Sequence, residues 1–304
     1  MKKIRMALDW TANTNHSGFY VAKEKGYYAA AGLEVQLLAP DQDGYAKTPA
    51  KKVEEGTADM ALCPFESILS YNTKGSPFDA VALAAIFQED LSAVVSLSGK
   101  GIARPRDLDG KSYASYRARY EDKIVEQMVK NDGGQGNLDM AYPDKLGIWE
   151  TLLTGKYDAT WIFMNWEGVH AQNKGIPLKA FKMANFGIPY GYSPVIMAGR
   201  SRVEKDTAAY AGFLAATKKG YLHAQDEPRF AADAIAPYVA QGDADLDVLQ
   251  SQEFTNPYYG NEANWGKMEV RGVQLFLDWL VKHGLEPSAP PAARLLMQDF
   301  WASP

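Results

Sequence analysis

A chain of 304 residues with 46% hydrophobic and 23% charged side chains has apolar material for one large core or two ordinary ones, which excludes a disordered or fibrous protein. The net charge of −5, with no basic run, argues against a nucleic-acid-binding face. One cysteine, Cys63, excludes an internal disulfide framework and a cysteine-built metal centre within one chain, and no stretch approaches the ~20 apolar residues of a membrane span.

The start, MKKIRMALDW, is basic enough for a leader, but Asp9 interrupts its apolar run after a few residues. The expected location is the cytoplasm if the sequence is whole, and the periplasm if a leader was removed. Residues 4–8 read as a strand and 16–25 as a helix closed by Gly26. Leu33, Val35 and Leu37 alternate as a strand, 48–55 reads as a helix, 60–62 as a buried strand, and Glu66 opens the next helix before a strand over 80–86. A second series has strands near 93–96, 112–113 and 160–164, with helices over 120–131 and 146–153. After a strand over 193–198 the pattern is helical, at 203–224, 228–239, 246–253 and 268–283, and the proline-bounded end PSAPPAARLLMQDFW holds a short helix.

Strands alternating with helices predict an α/β protein. The order predicts a discontinuous first lobe from 1–88 plus 196–304, a second lobe inserted at 89–195, and a hinge at the crossings near Gln88 and Ser193. No internal repeat or low-complexity segment is present.

In open α/β sheets ligands collect beyond the carboxyl ends of strands, where helix N-termini present unpaired N–H groups. Asp9 and Trp10 leave the first strand there, and Asn13, Thr14, Asn15 and His16 stand at the start of the next helix. One such residue suffices for a cap, so the run reads either as a cap with neighbours or as a turn facing a ligand. DMALCPFES puts Glu66 just after a buried strand, WIFMNWEG puts Asn165, Trp166 and Glu167 after another, and GIPYGYSPV adds Tyr190 and Tyr192 at the second crossing. Aromatic faces with a few polar groups suit a flat ring. The alternative is core packing for Trp166 and Tyr192 and a helix-start charge for Glu66. In SYRARYED, Arg117 and Arg119 precede a helix and either hold an anion or pair with nearby acids. His16, His170, His223 and His283 are too scattered for a metal site, and no GxSxG, GxxxxGK[ST] or GxGxxG motif occurs.

LDWTANTNHSGFYVAKEKGYY closely resembles the signature of the thiamine-precursor binding and synthesis superfamily, and DMALCPFES, WIFMNWEG, YGYSPVIMAG and NWGKMEVRGVQLFLDWLVKHGL resemble its transporter-subunit pattern in the same order. The likeness spans most of residues 4–285. It implies a two-lobed periplasmic-binding-protein type II fold with a hinge. It further implies a non-catalytic ABC-transporter subunit that closes on formylaminopyrimidine, hydroxymethylpyrimidine or a similar heteroaromatic solute. Its expected partners are that ligand and an ABC permease, without nucleic acid, membrane insertion, metal or cofactor. Carried onto this chain, the ligand contacts implied are Trp10, Asn13, His16, Glu66, Trp166 and Tyr192. The alternative is the fungal branch, which makes hydroxymethylpyrimidine phosphate. Where that branch carries a lysine for pyridoxal phosphate and, four residues on, a histidine, this chain reads Cys63 and Ser67, and GIPYGYSPV lacks the cysteines of the synthase's iron-associated motif.

Overall fold

A computed structural model describes residues 1–301. Its strands are β1 (Lys2–Ala7), β2 (Leu33–Leu38), β3 (Met60–Cys63), β4 (Ala80–Ala85), β5 (Ser92–Leu97), β6 (Ser112–Ala114), β7 (Asp139–Ala141), β8 (Ala159–Phe163), β9 (Leu178–Phe181) and β10 (Val195–Gly199). The chain divides into two compact units. The first holds Met1–Asp90, Gly191–Gln274 and the chain from Ala289 onward; the second holds Leu91–Tyr190 and Leu275–Ser288.

The first unit is built on a five-stranded sheet in the order β2-β1-β3-β10-β4. β1 runs parallel to both β2 and β3, with Met6 beside Leu37 and Met60, while β10 is antiparallel to β3 and β4. β4, AVALAA, is buried along its whole length, the unbroken apolar run expected of a strand covered on both faces. Because β10 runs against its neighbours, its leading residues Tyr192 to Pro194 reach the edge where β1 and β3 end. The helix Ser17–Glu24 lies against the long helix Thr207–Asp226 at two glycines, Gly18 and Gly220, whose missing side chains let the backbones meet.

The second unit has its own five-stranded sheet, β7-β6-β8-β5-β9. β6, β7 and β8 are parallel, and β5 is antiparallel to β8 and β9. Ala93, Val95, Trp149, Leu152, Ile162 and Ala171 form its packed core on one face.

Three differences from the sequence reading have physical causes. β7 and β9 were not expected; they are edge strands of three and four residues in which only Phe181 is buried, so they carry no apolar alternation. The helix expected over 203–224 is broken at Asp206, whose carboxylate caps the next helix by accepting from the Ala209 N–H at 3.3 Å. Leu275–Ser288, expected with the first lobe, groups with the second unit. Phe276 packs edge-on to Tyr190 at 5.4 Å, and buried Glu286 accepts from the Tyr120 hydroxyl and pairs with Arg119.

Candidate functional site

The first unit's strand-end turn is an anchored structure. Asn13 caps the single 3-10 turn Thr14–His16: its side-chain oxygen accepts from the Asn15 N–H at 2.8 Å, and its amide donates to the Thr11 carbonyl at 3.0 Å. The Asn13 N–H donates to His16 Nδ1 at 3.3 Å, which leaves the ring hydrogen on Nε2, and Nε2 donates to Asp9 Oδ1 at 2.7 Å. Thr14 bonds Ser251 at 2.8 Å and Thr255 at 3.0 Å, both on the helix Val248–Thr255, and Ser17 bonds Gln252 on the same helix. Tyr221 and Tyr259 donate to the carbonyls of Asn15 and Thr14. The surplus of polar side chains therefore has a structural cause: the turn is buried beneath the C-terminal helices, and each of its groups needs a partner there. Asn13 and His16 are 2% and 0% exposed and spend their hydrogen bonds inside this network.

Asp9 and Trp10, both half-buried, stand where β1 ends. Tyr45 belongs with them and was missed, because it lies in a polar loop with no local pattern to mark it. Its hydroxyl donates to the Asp9 carbonyl at 2.9 Å, its ring lies 5.8 Å from that of Trp10, and its backbone takes the left-handed φ of 60°. Burial, and next the Asp9 charge, push the Tyr45 phenol far up. At the end of β3, Pro64 stands at the cap position of the helix Phe65–Thr73, with Glu66 in its first turn and 8% exposed. Cys63 is buried, and burial followed by the Glu66 and Asp9 charges holds its thiol well above the ordinary range. Tyr192 accepts the Phe65 N–H on its carbonyl at 3.3 Å and the Glu269 N–H on its hydroxyl at 2.8 Å. Thus Trp10, Glu66 and Tyr192 share the carboxyl edge of the first sheet, joined by Asp9 and Tyr45.

In the second unit, Asn165, Trp166 and Glu167 follow β8 in one π-helical turn, Met164–Gly168, and all three are buried, Trp166 to 1% exposure. Glu167 accepts from the Phe163 N–H at 3.1 Å. Tyr190 lies edge-on to Trp161 at 5.1 Å. The loop after β6 already holds a carboxylate of its own, since Glu121 accepts from the N–H groups of Tyr116 and Ala118 and from the Tyr113 hydroxyl. Arg117, at a left-handed φ of 59°, lays its guanidinium over Tyr142 at 5.2 Å, while Arg119 pairs with Glu286. Among the described residues no three His, Cys, Asp or Glu side chains stand together as a metal site, and no helix is long and apolar enough to cross a membrane.

A family model described as NMT1/THI5 like matches residues 13–231. The chain is 24% identical to a formylaminopyrimidine-binding protein of Halalkalibacterium halodurans over 258 residues, 83% of this chain and 75% of the relative. It is 23% identical to a 4-amino-5-hydroxymethyl-2-methylpyrimidine phosphate synthase of Saccharomyces cerevisiae over 288 residues, 90% of this chain and 83% of the relative. Its structure is similar to the ligand-binding component of an ABC-type import system from Staphylococcus aureus, with a TM-score of 0.73 at 14% identity, covering 99% of this chain and 98% of the other. The fold is the periplasmic-binding-protein type II fold, in which each unit carries a mixed five-stranded sheet. The matched stretch contains the capped turn, the end of β3 and the π-helical turn together, and on that ground the chain belongs to the NMT1/THI5-like family.

Proposed function

We propose that this protein is a non-catalytic solute receptor that binds an aminopyrimidine thiamine precursor, formylaminopyrimidine or hydroxymethylpyrimidine, and delivers it to an ABC permease. The observation that carries the reading is the strand-end group of the first unit, where the rings of Trp10 and Tyr45 lie together, Tyr45 feels the Asp9 charge, and Glu66 stands in the first turn of the helix after β3. A flat ring gains from aromatic contact, and its exocyclic amine gains from an ionised acceptor, the stronger kind of hydrogen bond. The formylaminopyrimidine-binding relative supports the ligand class, and the import-system neighbour supports the role.

The second reading is a pyrimidine-forming synthase, favoured by the yeast relative. The residues at the end of β3 do not fit pyridoxal phosphate, because the side chain there is the buried thiol of Cys63, 3.8 Å from the Met197 sulfur, and a thiol forms no Schiff base.

Calorimetric titration with formylaminopyrimidine and hydroxymethylpyrimidine tests the receptor reading. Binding of either without turnover is the expected result; neither heat nor a thermal shift with both would reject the ligand class. Glu66→Gln should weaken binding by about 1–3 kcal/mol through loss of a charged acceptor. The receptor role also requires the protein to work outside the cytoplasmic membrane, which cell fractionation decides.

A further inference from the structure

Asp9 is held in a way that its place at a strand end does not demand. His16 is fully buried, and its Nδ1 is occupied by the Asn13 N–H, so the neutral imidazole can only donate, through Nε2, to Asp9 Oδ1 at 2.7 Å. That bond fixes the carboxylate plane while bringing no positive charge to it. The Asp9 charge acts on the phenol of Tyr45 from the loop after β2, on Cys63 from β3 and on Tyr221 from the helix Thr207–Asp226, and Glu66 from the helix Phe65–Thr73 acts on the same Cys63. None is a cation. Asp43, the remaining acid near Tyr45, is paired with Lys52 at 2.7 Å.

Among the described residues His16 is the one hydrogen-bond partner of the Asp9 carboxylate, and no lysine or arginine lies within ion-pair distance of it. The side chain is 15% exposed. A largely dehydrated anion, aimed by a buried neutral donor and lacking a protein cation, is best matched by positive charge on the guest. The same field acts on its neighbours, since the Asp9 charge helps push up the Tyr45 phenol and the Cys63 thiol.

We propose that Asp9, oriented by His16, selects a planar guest with a cationic, amidinium-like edge, so that an aminopyrimidine is bound in its ring-protonated form. The identity of that guest rests on the receptor reading above; the charge selection does not. Protonation of a ring nitrogen by solvent spreads positive charge onto the exocyclic amine, and the resulting N–H donates to the Asp9 oxygen that His16 leaves open. The ring N–H forms as a hydronium or buffer acid gives up its proton, no other covalent bond changes, and the proton is returned to solvent when the ligand leaves. Asp9 is thus a ligand contact and His16 a positioning residue.

The test is calorimetric titration of the intact chain at about pH 8, in buffers of different ionisation enthalpy, with hydroxymethylpyrimidine, formylaminopyrimidine, benzamidine and benzamide. Uptake of about one proton per aminopyrimidine is expected. Benzamidine, a permanent flat cation, should bind at least about tenfold tighter than its neutral amide. Asp9→Asn should abolish both effects, and His16→Gln should weaken benzamidine binding with a smaller loss for benzamide. The wild-type measurements decide the matter whether or not the variants fold. Aminopyrimidine binding without proton uptake, together with equal binding of benzamidine and benzamide, overturns the charge selection and leaves the receptor reading standing. Preference for benzamidine with no aminopyrimidine binding supports the charge selection and rejects the pyrimidine. Binding of none of the four overturns both.

Discussion

Gly220 and Gly212 lie on one helix, Thr207–Asp226, and alanine at each should change stability in opposite directions. A Cβ on Gly220 would fall 2.0 Å from the Gly18 carbonyl oxygen and 2.9 Å from its carbon. Both atoms are backbone, so no rotamer relieves the overlap, and bringing that pair to 3.4 Å requires the helices to part by about 1.4 Å. Parting them also stretches the 2.6 Å bond from Tyr221 to the Asn15 carbonyl, which ties down the turn behind Asp9. Overpacking of this kind costs about 1–3 kcal/mol or more, and alanine's better helix propensity returns only about 1 kcal/mol. At Gly212 the nearest atoms, Ala31 Cβ and Leu33 Cδ1, are 3.8 Å away, so the propensity gain stands alone. The propensity gain is common to both, so the two variants should differ by the overpacking cost, about 1–3 kcal/mol or more, in urea denaturation, with Gly212→Ala at or above the wild type and Gly220→Ala below it. Gly220→Ala should also bind ligand more weakly, because the displaced turn carries His16. A Gly220→Ala protein as stable as the wild type would refute the close backbone contact and the argument built on it.

Thr14→Val removes a buried hydroxyl bonded to Ser251 and Thr255, and unfolding should show a loss of about 1–3 kcal/mol. In a double-mutant cycle with Ser251→Ala the double variant should lose less than the sum of the two single losses. Cys63 should be inert to a thiol reagent at neutral pH and react only once urea exposes it; rapid reaction of the native protein would contradict its burial and raised thiol. Burial raises the Glu121 carboxyl above 4.5, against the opposing hydrogen bonds from Tyr116, Tyr113 and Ala118. The folded chain thus holds that proton more tightly than the unfolded one. The linked stability is fully present below 4.5 and is lost as pH rises through the folded value. Melting curves from about pH 4 to 7 should show the wild type falling relative to Glu121→Gln as pH rises, and parallel curves would refute the shift.

The chain is similar both to a binding protein and to a synthase, and the end of β3 is where the sequence reading distinguishes the two. The residues there are Cys63 and Ser67, legible without coordinates. The burial of Cys63 is what removes its thiol from consideration as a reactive group.

By itself the sequence determined most of the order of strands and helices, since β3, β4 and β10 are buried enough to show as apolar runs and Gly26 and Glu66 mark helix ends, whereas the edge strands β7 and β9 carry no such run. It also determined which residues stand at the strand ends: Asp9 and Trp10 follow β1, Glu66 follows β3, Trp166 follows β8, and Tyr192 precedes β10. It could not determine how those side chains are employed. Thr14 meets Ser251 across 237 positions, and Tyr221 reaches Asn15 across 206, so no local period carries that information. Tertiary structure alone decided that the polar turn is an anchored cap, that Glu121 fills the amide cradle expected for an anion, and that Tyr45 and Asp9 belong together. The physical reason is that a strand's path follows from burial, a property of its own residues, whereas a buried hydrogen bond is satisfied by whichever distant segment packs over it.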